Sequence, residues 1–510
     1  MRPLYLSLLL LALSTVFSAK AARLYVPNHS FELPATGFAD PRIESWVQSA
    51  KPVWFQDSEA GTWDQLAGVF VNQSPENSSY IHNMEGNQAA FFFAMPELAL
   101  SNDINFLTDS TNANDLPLPA KFTPGKAFEL TVGILGGGGG MTQGVSLQLS
   151  FYYRDANSNA ITFAATNVVF DTNRFPDTTN FVDVVLRSPV VREGDAAAGK
   201  LIGVQILSTV DPTLTGGYWD LDNVRLREVI ELANGSFEQP ETAFVDLAIA
   251  EWQKPPRPFW YPENSEFAWE QLSGVFVNAD PTNSSHITNI DGKQAAYLFA
   301  VSEAGFFQDY YSLGGTNSEP SHAFNTRFEE GMSYQLSFGI LGGGGGMTNP
   351  ASLQVSLYSV DSDTNRVTVV ATNIVFTPEK FPTTTAFVNF DLTLRGVNSG
   401  DAWIGKYIGV KVLSTVSPEM SGGYWDLDNF RLTSRREPLL KLVRGTNQLD
   451  LQLTSEPGEK FEIIATADLA LPVAQWTSLG MITNRTGRVQ LTDVQSSSDQ
   501  TRFYMARRTP

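Results

Sequence analysis

The stretch Gly216-Gly217-Tyr218-Trp219-Asp220-Leu221-Asp222-Asn223 returns residue for residue at 422–429, an offset of 206 positions. The same offset lays Asn28 on Asn234, Glu32 on Glu238, Trp46 on Trp252, Trp54 on Trp260 and Trp63 on Trp269, and it lays the pentaglycine 136–140 on 342–346. Solenoid units are roughly 20 to 50 residues long, so a period of this size is a duplicated domain. Apolar and polar residues alternate along 219–226, and the same period of two marks 145–153, 180–186 and 201–207. It recurs in the second copy at 352–358, 387–394 and 407–413. That is the period of a strand with one buried face. Pro, Asn, Asp and Gly clusters such as 74–77 and 155–158 punctuate the strands with turn chemistry, and no long stretch carries a helical stripe. The expected fold class is all-β: two tandem antiparallel jelly-roll sandwiches.

Residues 1–21 read as a secretory signal, with Arg2, an apolar run and the small-x-small triplet Ala19-Lys20-Ala21. The first repeat then spans 22–229 and the second 230–435. A smaller β-unit, 436–510, has expected strands near 449–453, 460–465 and 502–506. No later stretch is long and apolar enough to insert into a membrane. There is no cysteine, which excludes thiol chemistry and disulfides. The formal charge of −20 becomes −22 without Arg2 and Lys20. A surface so acidic repels nucleic acid, whose binding depends on clustered Lys and Arg.

The segments Pro27-Asn28-His29-Ser30-Phe31-Glu32 and Ala233-Asn234-Gly235-Ser236-Phe237-Glu238, with the closing strands at Asp222-Asn223-Val224 and Asp428-Asn429-Phe430, resemble the galactose-binding-like jelly-roll domains. That superfamily includes many carbohydrate-binding modules of secreted bacterial proteins. The resemblance implies a structural Ca2+ where the first and last strands meet. Carried onto this sequence, its carboxylates are Glu32 with Asp222, and Glu238 with Asp428; Asp220 and Asp426 are the alternates. Calcium takes six to eight hard oxygen ligands, so backbone carbonyls would complete the shell. The competing reading is that these acids cap turns or pair with Arg225. The last unit, with Phe461-Glu462-Ile463 and Trp476-Thr477-Ser478, looks like a β-sandwich appendage of secreted bacterial proteins.

Eight of the ten tryptophans form four matched pairs, the fourth being Trp219 with Trp425. Flat aromatic faces suit the apolar C–H face of a sugar ring, and neighbouring amides and carboxylates suit its hydroxyls. Trp46 and Trp219 read as core. Trp54 and Trp63, in a Pro-, Asp- and Gly-rich loop with Asp64 and Gln65, are the candidate ligand-binding residues of the first copy. Trp260, Trp269, Glu270 and Gln271 are those of the second, and closure of the core is the other reading of both sets. Gln88 and Gln294 either contact ligand or satisfy backbone groups. The pentaglycines lack the Gly-Lys-Ser/Thr of a phosphate loop and are expected as a turn at the sandwich rim.

Catalysis has little support, because none of the four histidines keeps its place between the copies. Asp57 with Glu263 and Asp64 with Glu270 are the acids a glycosidase would need. The expected function is therefore non-catalytic binding of a polysaccharide outside the cytoplasm. The alternative is a structural or adhesive component whose partners are cell-surface proteins, and a glycoside-active enzyme comes third.

Overall fold

The computed structural model describes residues 22–58, 61–104, 115–116, 118–313, 320–420, 422–444, 449–493 and 502–509; the secretory segment expected at 1–21 lies outside them. Each repeat is a pair of antiparallel sheets enclosing one core, the all-β sandwich expected from the alternation. In the first repeat one sheet runs Val182–Arg187, Ala127–Gly138, Tyr218–Val229, Gln88–Phe93, Ala67–Val71 and Ala39–Asp40, with Arg23–Leu24 added to Tyr218–Val229. The facing sheet runs Val47–Gln48, Ala99–Asp103, Gly203–Ser208, Ser146–Arg154 and Ala160–Val169. The second repeat follows the same order around Tyr424–Arg436.

The octapeptide lies in the middle of each large sheet, paired on one side with Gln88–Phe93 and on the other with Ala127–Gly138. The inward residues of the strand that carries it are Trp219, Leu221, Val224 and Leu226, all buried. Strict alternation from Leu221 would turn residue 224 outward. The ladder instead shifts register between Asp222 and Arg225, and Asn223 takes a left-handed φ of 57°. One extra residue is thus absorbed in a bulge, at a residue type that tolerates this conformation, and Val224 is returned to the core. Asn429 does the same at φ 60°. The regular alternation ahead of the bulge leaves the carboxylates of Asp220 and Asp222 on the face away from the core.

The three units are in contact. Lys126 is buried between Glu228 of its own repeat and Glu329 of the second, at 2.7 Å from each. Burial works against the ammonium charge, but the two carboxylates outweigh it and raise the pKa of Lys126. Thr326 Oγ1 adds a hydrogen bond to the Gly125 carbonyl at 2.6 Å. The C-terminal unit is two three-stranded sheets around Leu451, Leu453, Phe461, Ile463 and Val489. It is tied to the first repeat, since Asp115 bridges Val489 and Leu116 N donates to Arg488 O at 3.0 Å. Glu456 accepts from the backbone amides of Arg23 and Arg436, both at 2.7 Å. Among the described residues no helix is long and apolar enough to cross a membrane.

Removing one partner of a buried ion pair strands the other charge, at a cost of about 3–5 kcal/mol. Lys126→Ala is therefore expected to lower stability by that amount, read as an earlier denaturant midpoint, whereas Lys441→Ala, which breaks the more exposed pair with Glu330 at 2.9 Å, should cost below about 1 kcal/mol.

Candidate functional site

Two regions of each repeat carry the residues singled out in the sequence. In the loop region, Trp63 is only 2% exposed and Trp269 5%, so neither can offer a face to a ligand. Both belong to the core of their repeat, which corrects their reading as stacking residues. The cause is local. Residues Trp63–Gln65 and Trp269–Leu272 form short 3-10 turns that drive the indole inward, and the ring N–H is satisfied by the Ser49 carbonyl at 2.7 Å or that of Pro255 at 2.8 Å. Gln65 and Gln271 turn their side-chain oxygens onto the backbone N–H of Thr62 and Ala268, at 3.0 and 2.7 Å, and so cap those turns. Asp64 and Glu270 are exposed. Trp54 is 48% exposed and Trp260 partly so, each edge-on to its buried neighbour and donating to Glu97 or Glu303 at 3.1 Å. Trp54, Trp63 and Gln65 therefore do not share one exposed concavity.

The second region is the outer face of the large sheet, where the octapeptide puts Tyr218 and Asp220. Tyr218 is paired across the ladder with Phe93 and Gly138, and Asp220 with Phe91 and Leu135. The rings of Phe91, Phe93 and Tyr218 form a row, with centroids 6.1 and 5.7 Å apart. Glycines lie beneath it. A Cβ on Gly138 would come within 2.4 Å of the Tyr218 ring, and one on Gly68 within 2.6 Å of Phe91. Because no side chain rises there, the Tyr218 and Phe91 rings lie over the glycine backbone; Phe93 stands perpendicular to Phe91 and tilted to Tyr218, and all three are partly exposed. On the other side of the same strand a Cβ on Gly136 would meet Phe170 at 2.7 Å and Trp219 at 3.0 Å. The pentaglycine is thus partly strand, clasped by aromatics on both faces, and only its last residues form the expected rim turn. The second repeat reproduces the row as Tyr297, Phe299 and Tyr424, with Asp426 beside it and Gly274 and Gly344 beneath.

Asp220 and Asp426 are crowded by this apolar neighbourhood. Burial alone lifts each carboxyl to about 7, with no second acid contributing. Near neutral pH each can both donate and accept hydrogen bonds, which an ionised carboxylate cannot do. The sequence reading placed these two only as alternate calcium ligands; the alternation that puts Trp219 and Leu221 inside was the signal that Tyr218 and Asp220 share the open face.

Of the four acids carried over as calcium ligands, Asp222 and Asp428 lie two residues further along this strand, and Glu32 and Glu238 lie outside any strand. Glu32 Oε1 accepts from Asn87 N and Gln88 N, both at 2.8 Å, and Asp222 Oδ2 from Glu85 N at 2.6 Å. The matching bonds run from Lys293 and Gln294 to Glu238 and from Asp291 to Asp428. In both copies the second oxygen of the strand acid, Asp222 Oδ1 or Asp428 Oδ1, is buried without a hydrogen-bond partner. Burial, with Glu85 and Glu32 adding repulsion, pushes Asp222 up to about 8; the same causes bring Asp428 to about 7. An orphaned buried oxygen beside a second carboxylate fits a hard cation. Among the described residues no three acidic or imidazole groups are placed to hold one metal ion together, so carbonyls would supply the remaining ligands. Gln88 is spent on the backbone, accepting from Thr36 N at 2.8 Å and donating to Phe31 O and Pro34 O; Gln294 matches it.

No protein-family model and no curated protein matches the chain. Among solved structures it overlaps a Stig cyclase, Fisc, from Fischerella sp. TAU, at 17% identity over 41% of this chain and 98% of that one, with a TM-score of 0.30. It overlaps the tandem CBM22-1-CBM22-2 domain of Paenibacillus barcinonensis Xyn10C at 13% identity over 82% and 99%, with a TM-score of 0.24. The CBM22-1 xylan-binding domain of the same enzyme overlaps at 14% identity over 32% and 81%, with a TM-score of 0.20. At TM-scores of this size, function rests on the residues themselves.

Two predictions follow from burial and titration. Trp63→Ala should destabilise the first repeat by about 3–5 kcal/mol, whereas Trp54→Ala should cost far less. Asp220, Asp222, Asp426 and Asp428 hold their protons more tightly when folded than the unfolded chain does. In chelator, stability should therefore rise as pH falls from about 8 toward 4, and replacing the four by Asn should flatten that slope in thermal melts.

Proposed function

We propose that this is a secreted, non-catalytic polysaccharide-binding protein whose two repeats each hold a sugar chain on the outer sheet face. The observation that carries the reading is the twice-built row of three aromatic rings, two of them over glycines, flanked by one largely buried carboxyl. Aromatic faces take up the C–H faces of pyranose rings, and a carboxyl that both donates and accepts suits their hydroxyls. Cleavage of a glycosidic bond needs two carboxyls at a set separation. On the sheet face the nearest strand acid to Asp220 is Asp222, and its carboxylate is engaged by the Glu85 amide at 2.6 Å. In the loops Asp57 is tied to Lys51 and Glu263 to Arg257, both at 2.7 Å. Two sites on one chain favour a polymeric ligand, since binding at the first raises the effective concentration at the second.

Structural calcium belongs to the same proposal, with Glu32 and Asp222 holding one ion and Glu238 and Asp428 the other. The ion would offset the cost of burying these carboxylates and fix the loops at 85–88 and 291–294. Calcium is expected to raise the melting temperature more at pH 8 than at pH 5, and Asp222→Asn with Asp428→Asn should abolish the rise. An equal rise in that variant would place the ion elsewhere.

Affinity electrophoresis of the full chain through gels containing neutral plant and algal polysaccharides tests the platform. Tyr218→Ala with Tyr424→Ala should abolish retardation, while Trp54→Ala with Trp260→Ala should keep most of it. Undiminished retardation of the tyrosine variant would contradict the assignment.

A further inference from the structure

The two platforms differ at three positions, and the differences point the same way. In the second repeat Phe267 packs its ring at a tilt against Phe299, centroids 5.2 Å apart, and remains 41% exposed. The matching residue of the first repeat is Gly61, which offers no side chain. Tyr297, beside Gly274, replaces Phe91 and brings a hydroxyl to the same sheet face. That face borders Val245–Asp246, which pairs with Ser273–Val277. The third difference lies here. Asp40 of the first repeat is locked by Arg42 through a bond of 2.6 Å and a second of 2.9 Å. In the second repeat Ala248 stands where Arg42 does, so Asp246 has no such arginine and accepts from the Ala248 amide at 2.8 Å. The Asp246 charge is close enough to the Tyr297 hydroxyl to help raise its pKa, after burial.

We propose that the second repeat is the selective, higher-affinity site and engages one more pyranose residue of the same chain than the first. Phe267 supplies the extra stacking surface, and the Tyr297 hydroxyl with the Asp246 carboxylate reads hydroxyls elsewhere on the bound chain. The first repeat, with Phe91, Gly61 and an arginine-locked Asp40, is the weaker and more tolerant site. This rests on the glycan reading of the platforms and adds a division of labour between them. Tyr218 and Tyr424 serve as the means of silencing one platform at a time, because both are partly exposed and lie on the outer face.

The experiment is calorimetric titration of the full chain with xylo-, cello- and mannan-type oligosaccharides of increasing length. One platform is silenced by Tyr218→Ala, or the other by Tyr424→Ala. The chain that keeps the second repeat should gain affinity up to an oligomer one residue longer than the chain that keeps the first. Adding Phe267→Gly should remove that last gain, a loss of roughly two- to tenfold for one aromatic contact. Adding Tyr297→Phe should leave the length at which affinity levels off unchanged and narrow the preference among the three sugar types. Equal length dependence for the two repeats, or a longer reach that survives Phe267→Gly, would overturn the inference while leaving the platforms as glycan sites. Failure of both repeats to bind any of the sugars, and of the unaltered chain to be retarded by any polysaccharide, would remove the glycan reading and this inference with it.

Discussion

Everything distinctive about this protein depends on one strand that must show opposite chemistry on its two faces. In Tyr218–Val229 the residues Trp219 and Leu221 are sealed in the core, so Tyr218, Asp220 and Asp222 have only the outer face left to them. The period of two in a strand allows no compromise. Where the apolar spacing slips at Val224, the chain inserts a bulge at Asn223 and keeps the core intact. The cost of that arrangement is two carboxylates in crowded surroundings. Each finds a use that a buried acid can have: Asp220 between proton donor and acceptor, Asp222 as an anchor for the Glu85 amide with one oxygen left over.

Glycine is the second half of the device. Any side chain at Gly138 would lift Tyr218 off the sheet, and any at Gly136 would strike Trp219 from within. A run of glycines in a central strand would ordinarily weaken it through lost packing and higher chain entropy. Here Tyr218 covers the gap on the outer face and Trp219 with Phe170 on the inner one, which restores contact and leaves partly exposed rings on the outer face. The pentaglycine and the octapeptide recur together because neither makes sense alone.

Much of the fold was legible. The alternation along 145–153, 352–358 and 460–465 foretold strands found at Ser146–Arg154, Ser352–Val360 and Glu459–Thr466. Less of the site was. Trp54 and Trp63 look alike in sequence, in one loop rich in turn residues, yet one is half exposed and the other sealed. The difference is made by the 3-10 turn at Trp63, whose geometry depends on a side-chain cap that a pattern of residue types does not reveal. The ring row was hidden for a related reason: Phe91 meets Gly68, and Tyr218 meets Gly138, only once the ladders are in register. Nor did the sequence display the Lys126 junction, which joins residues some two hundred positions apart.

The central claim is that sugar lies on the sheet face, over the rings of Phe93 and Tyr218 and their counterparts. The most direct measurement is a set of intermolecular NOEs from a bound oligosaccharide to the full chain carrying protonated Tyr, Phe and Trp rings in a deuterated background. The account predicts contacts from pyranose C–H protons to the rings of Tyr218, Phe93, Tyr424 and Phe299. Contacts confined to the indoles of Trp54 and Trp260, with none to the sheet-face rings, would contradict it.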